Sequence, residues 1–164
     1  MHIEVAGLTR RFIAQATIHA QQPPAPSEAL VLGPADRTVL LKLTHSEERI
    51  LAEAGAMVFR LTIDAQGGPP CDQALQRMAE EYVFVARGLF AAMPQTAHLS
   101  LGVTQQEAKH LAELGVDDIA RAAAEGRLRL TLRHDLEKLL RVFQKLGSAG
   151  QRRSFLVLNS GGGS

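Results

Sequence analysis

Apolar and polar positions recur along this chain with two periods, and the switches between them mark its elements. From Leu101 to Asp135 the pattern reads helix, tight turn, helix, strand. Thr104 and Glu107 make a capping box, in which hydroxyl and carboxylate each accept an otherwise unpaired backbone N–H, so a helix is predicted to start there. Ala108, Leu111, Ala112 and Leu114 give it an apolar stripe. Gly115 permits a sharp change of direction, and Asp117 is placed to cap a second helix carrying Ile119, Ala122 and Ala123 until Gly126 ends it. Over Arg127-Leu128-Arg129-Leu130-Thr131-Leu132-Arg133 the period falls to two, the signature of a half-buried strand.

The same order is written once before. Residues 4–21 predict a helix with Val5, Leu8, Phe12 and Ala16 on one side, stopped by the prolines of Gln21–Pro26. Leu30–Pro34 leads into a short helix, Ala35 to Leu43. Thr44 and Glu47 form a second capping box, opening a helix through Ile50 and Leu51 that Gly55 stops, and Met57–Ile63 reads as a strand. Leu32-Gly33 matches Leu101-Gly102 at an offset of 69, while Leu40, Leu43, Gly55 and Asp64 match Leu111, Leu114, Gly126 and Asp135 at 71. Arg11-Phe12-Ile13 sits where Glu81-Tyr82-Val83 does.

This periodicity predicts a mainly α protein built as two tandem units of long helix, helix-turn-helix and short strand. Residues 1–64 form the first unit, 65–71 a turn-rich linker, 72–146 the second unit with an extra C-terminal helix, and 147–164 a tail ending in a flexible Gly-Gly-Gly-Ser. Asp72 caps the longest helix, running through Met93 to its stop at Pro94. Its Leu75, Met78, Tyr82, Val85 and Leu89, in 3-4-3-4 spacing, suit packing against the counterpart helix of the first unit. The two units are expected to pack about a pseudo-two-fold axis, a covalent version of an isologous dimer. Asp135 is placed to cap Leu136–Leu146, whose buried face is Leu136, Leu139, Leu140 and Phe143.

Composition narrows the functions. The absence of Trp and a single Tyr argue against a base-stacking platform for single strands. One cysteine, Cys71, builds neither an internal disulfide nor a thiolate zinc cage. It reads as a linker residue rather than a nucleophile. The six histidines make no HExxH-type spacing and no glycine-rich phosphate loop follows a strand, so neither catalysis, a metal nor a cofactor is expected. No apolar run approaches the 18 or so residues of a membrane span and no signal peptide opens the sequence, which predicts a cytoplasmic protein without a membrane partner.

The net charge of +1 hides an asymmetry. Residues 126–164 carry eight basic side chains against two acidic ones, so the remainder carries −5. Arg127, Arg129 and Arg133 of the strand, with Lys138, Arg141 and Lys145 on one side of the last predicted helix, are the candidates for phosphate contact. They equally suit an acidic partner, or a solvated helix face. The second helix of the helix-turn-helix offers Asp117, Asp118, Arg121 and Glu125, three of which repel phosphate, so direct reading of a major groove is disfavoured there.

The run Glu81–Leu89, the step His98–Val103, the two short helices and Leu130-Thr131-Leu132-Arg133-His134-Asp135 together resemble the FlhD family, the D subunit of the flagellar master transcriptional activator. Residues 72–135 follow that order nearly without gaps, and residues 8–64 more loosely. The resemblance implies a helical, tightly self-associating, non-enzymatic subunit. Its partners would be a zinc-bearing FlhC-like subunit, promoter DNA and RNA polymerase, at flagellar or conjugative-transfer genes. The family's strand cysteine falls at Leu130, so its inter-subunit disulfide is absent, and ordinary members hold one unit where this chain holds two. An alternative is a self-sufficient MerR- or excisionase-like winged helix, which Leu114-Gly115-Val116, Ile119 and Glu125-Gly126-Arg127-Leu128 also evoke.

Overall fold

Capping chemistry and glycine punctuation fix most of the element boundaries. The computed structural model describes residues 2–23 and 29–159; the prolines Pro24 and Pro26 and the terminal Gly161–Ser164 lie outside the described residues. In chain order the elements are α1 (His2–Ala20), β1 (Leu30–Val31), α2 (Pro34–Leu41), α3 (His45–Ala52), β2 (Phe59–Ile63) and α4 (Gln73–Ala92). There follow α5 (Ala97–Leu101), α6 (Gln105–Glu113), α7 (Val116–Ala124), β3 (Leu128–Leu132), α8 (Leu136–Lys145) and α9 (Ala149–Leu158). The protein is mainly helical with one small sheet. Thr44 with Glu47 and Thr104 with Glu107 form complete capping boxes on α3 and α6, and the Asp72 carboxylate accepts the Leu75 N–H at the start of α4.

The sheet has the order β1-β3-β2, with β1 parallel and β2 antiparallel to β3. Leu61 stands opposite Leu130, flanked by Phe59 opposite Leu132 and Ile63 opposite Leu128. Long helices α1 and α4 pack together over it. Buried Val5, Leu8, Thr9, Phe12, Ile13 and Ala16 of α1 have buried counterparts seventy residues on in Leu75, Met78, Ala79, Tyr82, Val83 and Ala86. Phe59 lies between two of them, stacked on Phe12 with ring centroids 4.0 Å apart and tilted against Tyr82 at 5.5 Å. Arg11 and Glu81, also seventy apart, form an ion pair at 2.5 Å. One continuous apolar core runs through both halves of the chain.

Three local expectations are corrected and one further step gains a structure. Helix α7 begins two residues before its expected cap: Gly115 is the N-cap residue and its N–H is accepted by the Asp118 carboxylate at 2.8 Å, while Asp117 is exposed. Asp135 supplies no side-chain cap to α8; the Leu136 N–H is accepted instead by Asp36 Oδ1 at 3.0 Å, a residue one hundred positions earlier that no local pattern points to. The His98–Val103 step is the short helix α5 closing on Gly102 in the left-handed region, φ 72°. The tail folds back as α9, because Ser148 accepts the Gln151 N–H and Leu156 finds a fully buried socket.

Candidate nucleic-acid interface

Strand alternation sends Leu128 and Leu130 into the core and Arg129 of β3, with Arg127 and Arg133 just beyond its ends, to the opposite side, where their guanidiniums meet backbone carbonyls. Arg127 Nε donates to the Asp64 carbonyl at 2.8 Å and its guanidinium pairs with Glu125 at 3.0 Å. Arg129 donates to the carbonyls of Gly126 and Leu128 at 2.8 and 2.9 Å, with the Asp64 carboxylate 3.7 Å away.

Arg133 goes furthest inward. Its guanidinium donates to the carbonyls of Met57 (2.8 Å), Leu99 (3.1 Å), Ser100 (3.3 Å) and Leu156 (2.9 Å). These include carbonyls at the C-terminal ends of α5 and α9, which lack helical partners and carry the negative end of the helix dipole, so a cation is suited to the place. Tyr82 completes the cradle by donating its hydroxyl to the Leu101 carbonyl at 2.8 Å. Burial pushes Arg133 down to about 10 and pushes the Tyr82 phenol well above its usual value, leaving Arg133 charged and Tyr82 protonated at neutral pH. A Cβ on Gly102 would stand 2.3 Å from Arg133 Nε, so the glycine serves the arginine as well as the helix end.

The other three candidates lie together outside. Lys138, Arg141 and Lys145 occupy an exposed face of α8, where Arg141 pairs with Glu137 at 3.1 Å in an exposed i,i+4 bridge. Arg127, Arg129 and Arg133 are therefore set apart from them: their guanidiniums are tied to backbone carbonyls, whereas Lys138, Arg141 and Lys145 stand at the surface. The α7 face presents Val116, Asp117, Asp118, Arg121 and Glu125. Strand β3 is hydrogen-bonded on both edges at Leu130 and Thr131, unlike a wing strand at the end of a hairpin. The packing candidates Leu75, Met78, Tyr82, Val85 and Leu89 are all buried.

Remaining chemistry is sparse among the described residues. No group of three His, Cys, Asp or Glu side chains is arranged to hold a metal. Burial, reinforced by Asp72, pushes the Cys71 thiol up to about 11, so it is protonated at neutral pH and a poor nucleophile. No described helix is long and apolar enough to cross a membrane. The role of Arg133 was hidden from sequence reading, since its four acceptors are spread from Met57 to Leu156. The start of α9 was legible, because Ser148 and Gln151 have the spacing of a capping box.

No family model, no curated protein and no solved structure matches the chain.

Proposed function

We propose that the chain is a covalent pseudo-dimer of two FlhD-like units that acts as a non-enzymatic subunit of a bacterial transcriptional activator. The observation that carries the reading lies in the β2–β3 pair: Arg60 and Thr131, the same position of the two units at the offset of 71 set by Gly55–Gly126 and Asp64–Asp135, stand opposite each other. Self-opposition of equivalent residues is what a two-fold axis requires. The Arg11–Glu81 pair and the recurring buried positions of α1 and α4 support the same axis.

On this reading, the chain presents surfaces to an FlhC-like, zinc-bearing partner, which reads promoter DNA and brings RNA polymerase. Its own contribution to DNA is phosphate contact by Lys138, Arg141 and Lys145, since the guanidiniums of the β3 arginines are engaged within the fold. Phosphate contacts add affinity and register but little sequence information. With three such contacts, log K should fall against log salt with a slope of about −3. Replacing all three by Ala should flatten that slope on specific and scrambled duplexes alike. Adding the C-type partner should convert weak binding into promoter-specific binding. A thousand-fold or so discrimination by the isolated chain, abolished by Arg121→Ala, would replace this reading with the winged-helix one.

A further inference from the structure

Helices α3 and α7 end alike and are covered differently. Both run into a glycine in the left-handed region, Gly55 with φ 75° and Gly126 with φ 65°. Over the end of α7 lies the extended segment 67–71: Gly68 N–H donates to the Glu125 carbonyl at 3.0 Å and Cys71 N–H to the Ala123 carbonyl at 2.9 Å. A Cβ on Gly126 would stand 2.3 Å from the Gly68 carbonyl oxygen, so backbone lies directly against that helix end. Over the end of α3 lies the start of α9. The nearest atoms to a Cβ on Gly55 there are side-chain carbons of Arg153, the first at 3.3 Å. Among the described residues no donor reaches the carbonyls of Ala52 and Ala54, the counterparts of Ala123 and Glu125 at an offset of 71.

What α9 leaves uncovered is a hollow of about 660 Å³ between α1, α3 and α9. Gly7, Ala52, Gly55 and Gly150 leave its walls nearly free of side chains, so it has room for backbone. Arg10 and Arg153 face it with Glu53 as the one carboxylate, an excess of one positive charge. We propose that this hollow is a docking slot for an extended peptide segment of a partner protein, rich in Gly, Pro or other small residues and carrying a carboxylate. The small-residue backbone of 67–71 seals the matching place on the second unit, and a carboxylate suits the excess positive charge of Arg10 and Arg153 here. The inference rests on the two-unit reading, because only the equivalence of α3 and α7 says what belongs in the slot.

The test is an amide-shift titration of the full chain with a synthetic peptide of residues 65–72 under reducing conditions. Saturable shifts centred on Gly7, Ala52, Gly55, Gly150 and Arg153 are expected. Binding should weaken at least tenfold in Gly7→Leu, which fills the slot. An added Cβ at Gly7 meets only Arg11 guanidinium nitrogens at 3.7 and 3.9 Å, and Leu is the better helix former, so this variant should fold. Gly150→Leu should block from the opposite wall, and a peptide ending in Asn instead of Asp should bind severalfold more weakly. Absent shifts at millimolar peptide, shifts elsewhere, or binding indifferent to both leucines would overturn the slot. The two-unit reading fails separately, through independent melting of the halves, so one can fall while the other stands.

Discussion

On the proposed two-unit reading, the two halves of the chain share a framework and differ in what covers it. In the first, α2 and α3 are packed by α8, whose first free N–H is taken by Asp36 of α2, and the end of α3 is overlaid by α9. In the second, α6 and α7 have no such cover among the described residues: α7 turns Val116, Asp117, Asp118 and Arg121 to solvent, and the segment 67–71 crosses its end. Helix α8 thus follows the second half in sequence but packs on the first in space, while α9 packs on α5 and reaches across to the end of α3. Such an exchange ties the halves together, and it leaves one acidic face and one basic face on opposite partners of the same framework.

The largest effects should come from beside the proposed axis. Leu61 and Leu130, next to the Arg60–Thr131 pair, are fully buried and face each other. Leu61→Asp and Leu130→Asp should each cost roughly 3–5 kcal/mol, the penalty of an unpaired buried carboxylate. The two costs should be alike, as should that of Val85→Asp on α4. Urea denaturation followed by circular dichroism should give one transition for the wild type. Two transitions, or a harmless Leu61→Asp beside a damaging Leu130→Asp, would break the comparison.

Arg133 comes next, because it joins both halves and α9 through one side chain. Arg133→Met should cost about 3 kcal/mol by leaving several carbonyls without a donor. It should also raise amide exchange in α9 ahead of the rest of the fold. Retention of full stability would mean that the four carbonyls are hydrated rather than dependent on the guanidinium.

How much of this was legible follows from the range over which each device acts. The capping boxes at Thr44 and Thr104, the strand alternation and the stripe from Leu75 to Leu89 are local patterns, and the elements they predict are present. Asp36 capping α8 is not local, so the nearer Asp135 was the natural but mistaken choice. The same holds for the arginines of β3. An alternating Arg–Leu strand reads as a basic surface, but Arg127 and Arg133 are held by carbonyls from distant segments, which sequence spacing does not encode, and Arg129 folds back onto those of Gly126 and Leu128. Strand β1, two residues long and parallel to β3, has too short a period to announce itself.

The glycines that end α3 and α7 give a finer comparison. Both need the left-handed region, where a Cβ costs about 1 kcal/mol. At Gly126 the added methyl also meets backbone of Gly68 and Pro69 within 2.4 Å, whereas at Gly55 it meets only the flexible Arg153 side chain. Gly126→Ala should therefore cost more than Gly55→Ala, by roughly 1–2 kcal/mol on top of the shared strain. Equal thermal shifts would mean that the linker moves as readily as an arginine side chain, and that the two helix ends are covered with equal tightness.

The smallest effect tests the cross-half cap. Burial is the largest influence on Asp36 and holds its carboxyl above the usual value; the Leu136 N–H pulls it down, and Asp135 pushes it up again. A carboxyl raised in the fold is disfavoured as the anion there. Its contribution is thus most favourable below its unfolded pKa, is lost as pH rises through the window up to the folded value, and stays constant above. Asp36→Asn keeps an oxygen for the Leu136 N–H but removes the charge and its repulsion with Asp135. The variant should match or exceed the wild type at pH 7 by less than about 1 kcal/mol, given the partial exposure of the site. That advantage should vanish as pH falls toward 4, where the wild type also becomes neutral. Urea midpoints across pH 4 to 7 decide it: a variant weaker at pH 7 would show that the charged hydrogen bond at the start of α8 outweighs the cost of burying the carboxylate.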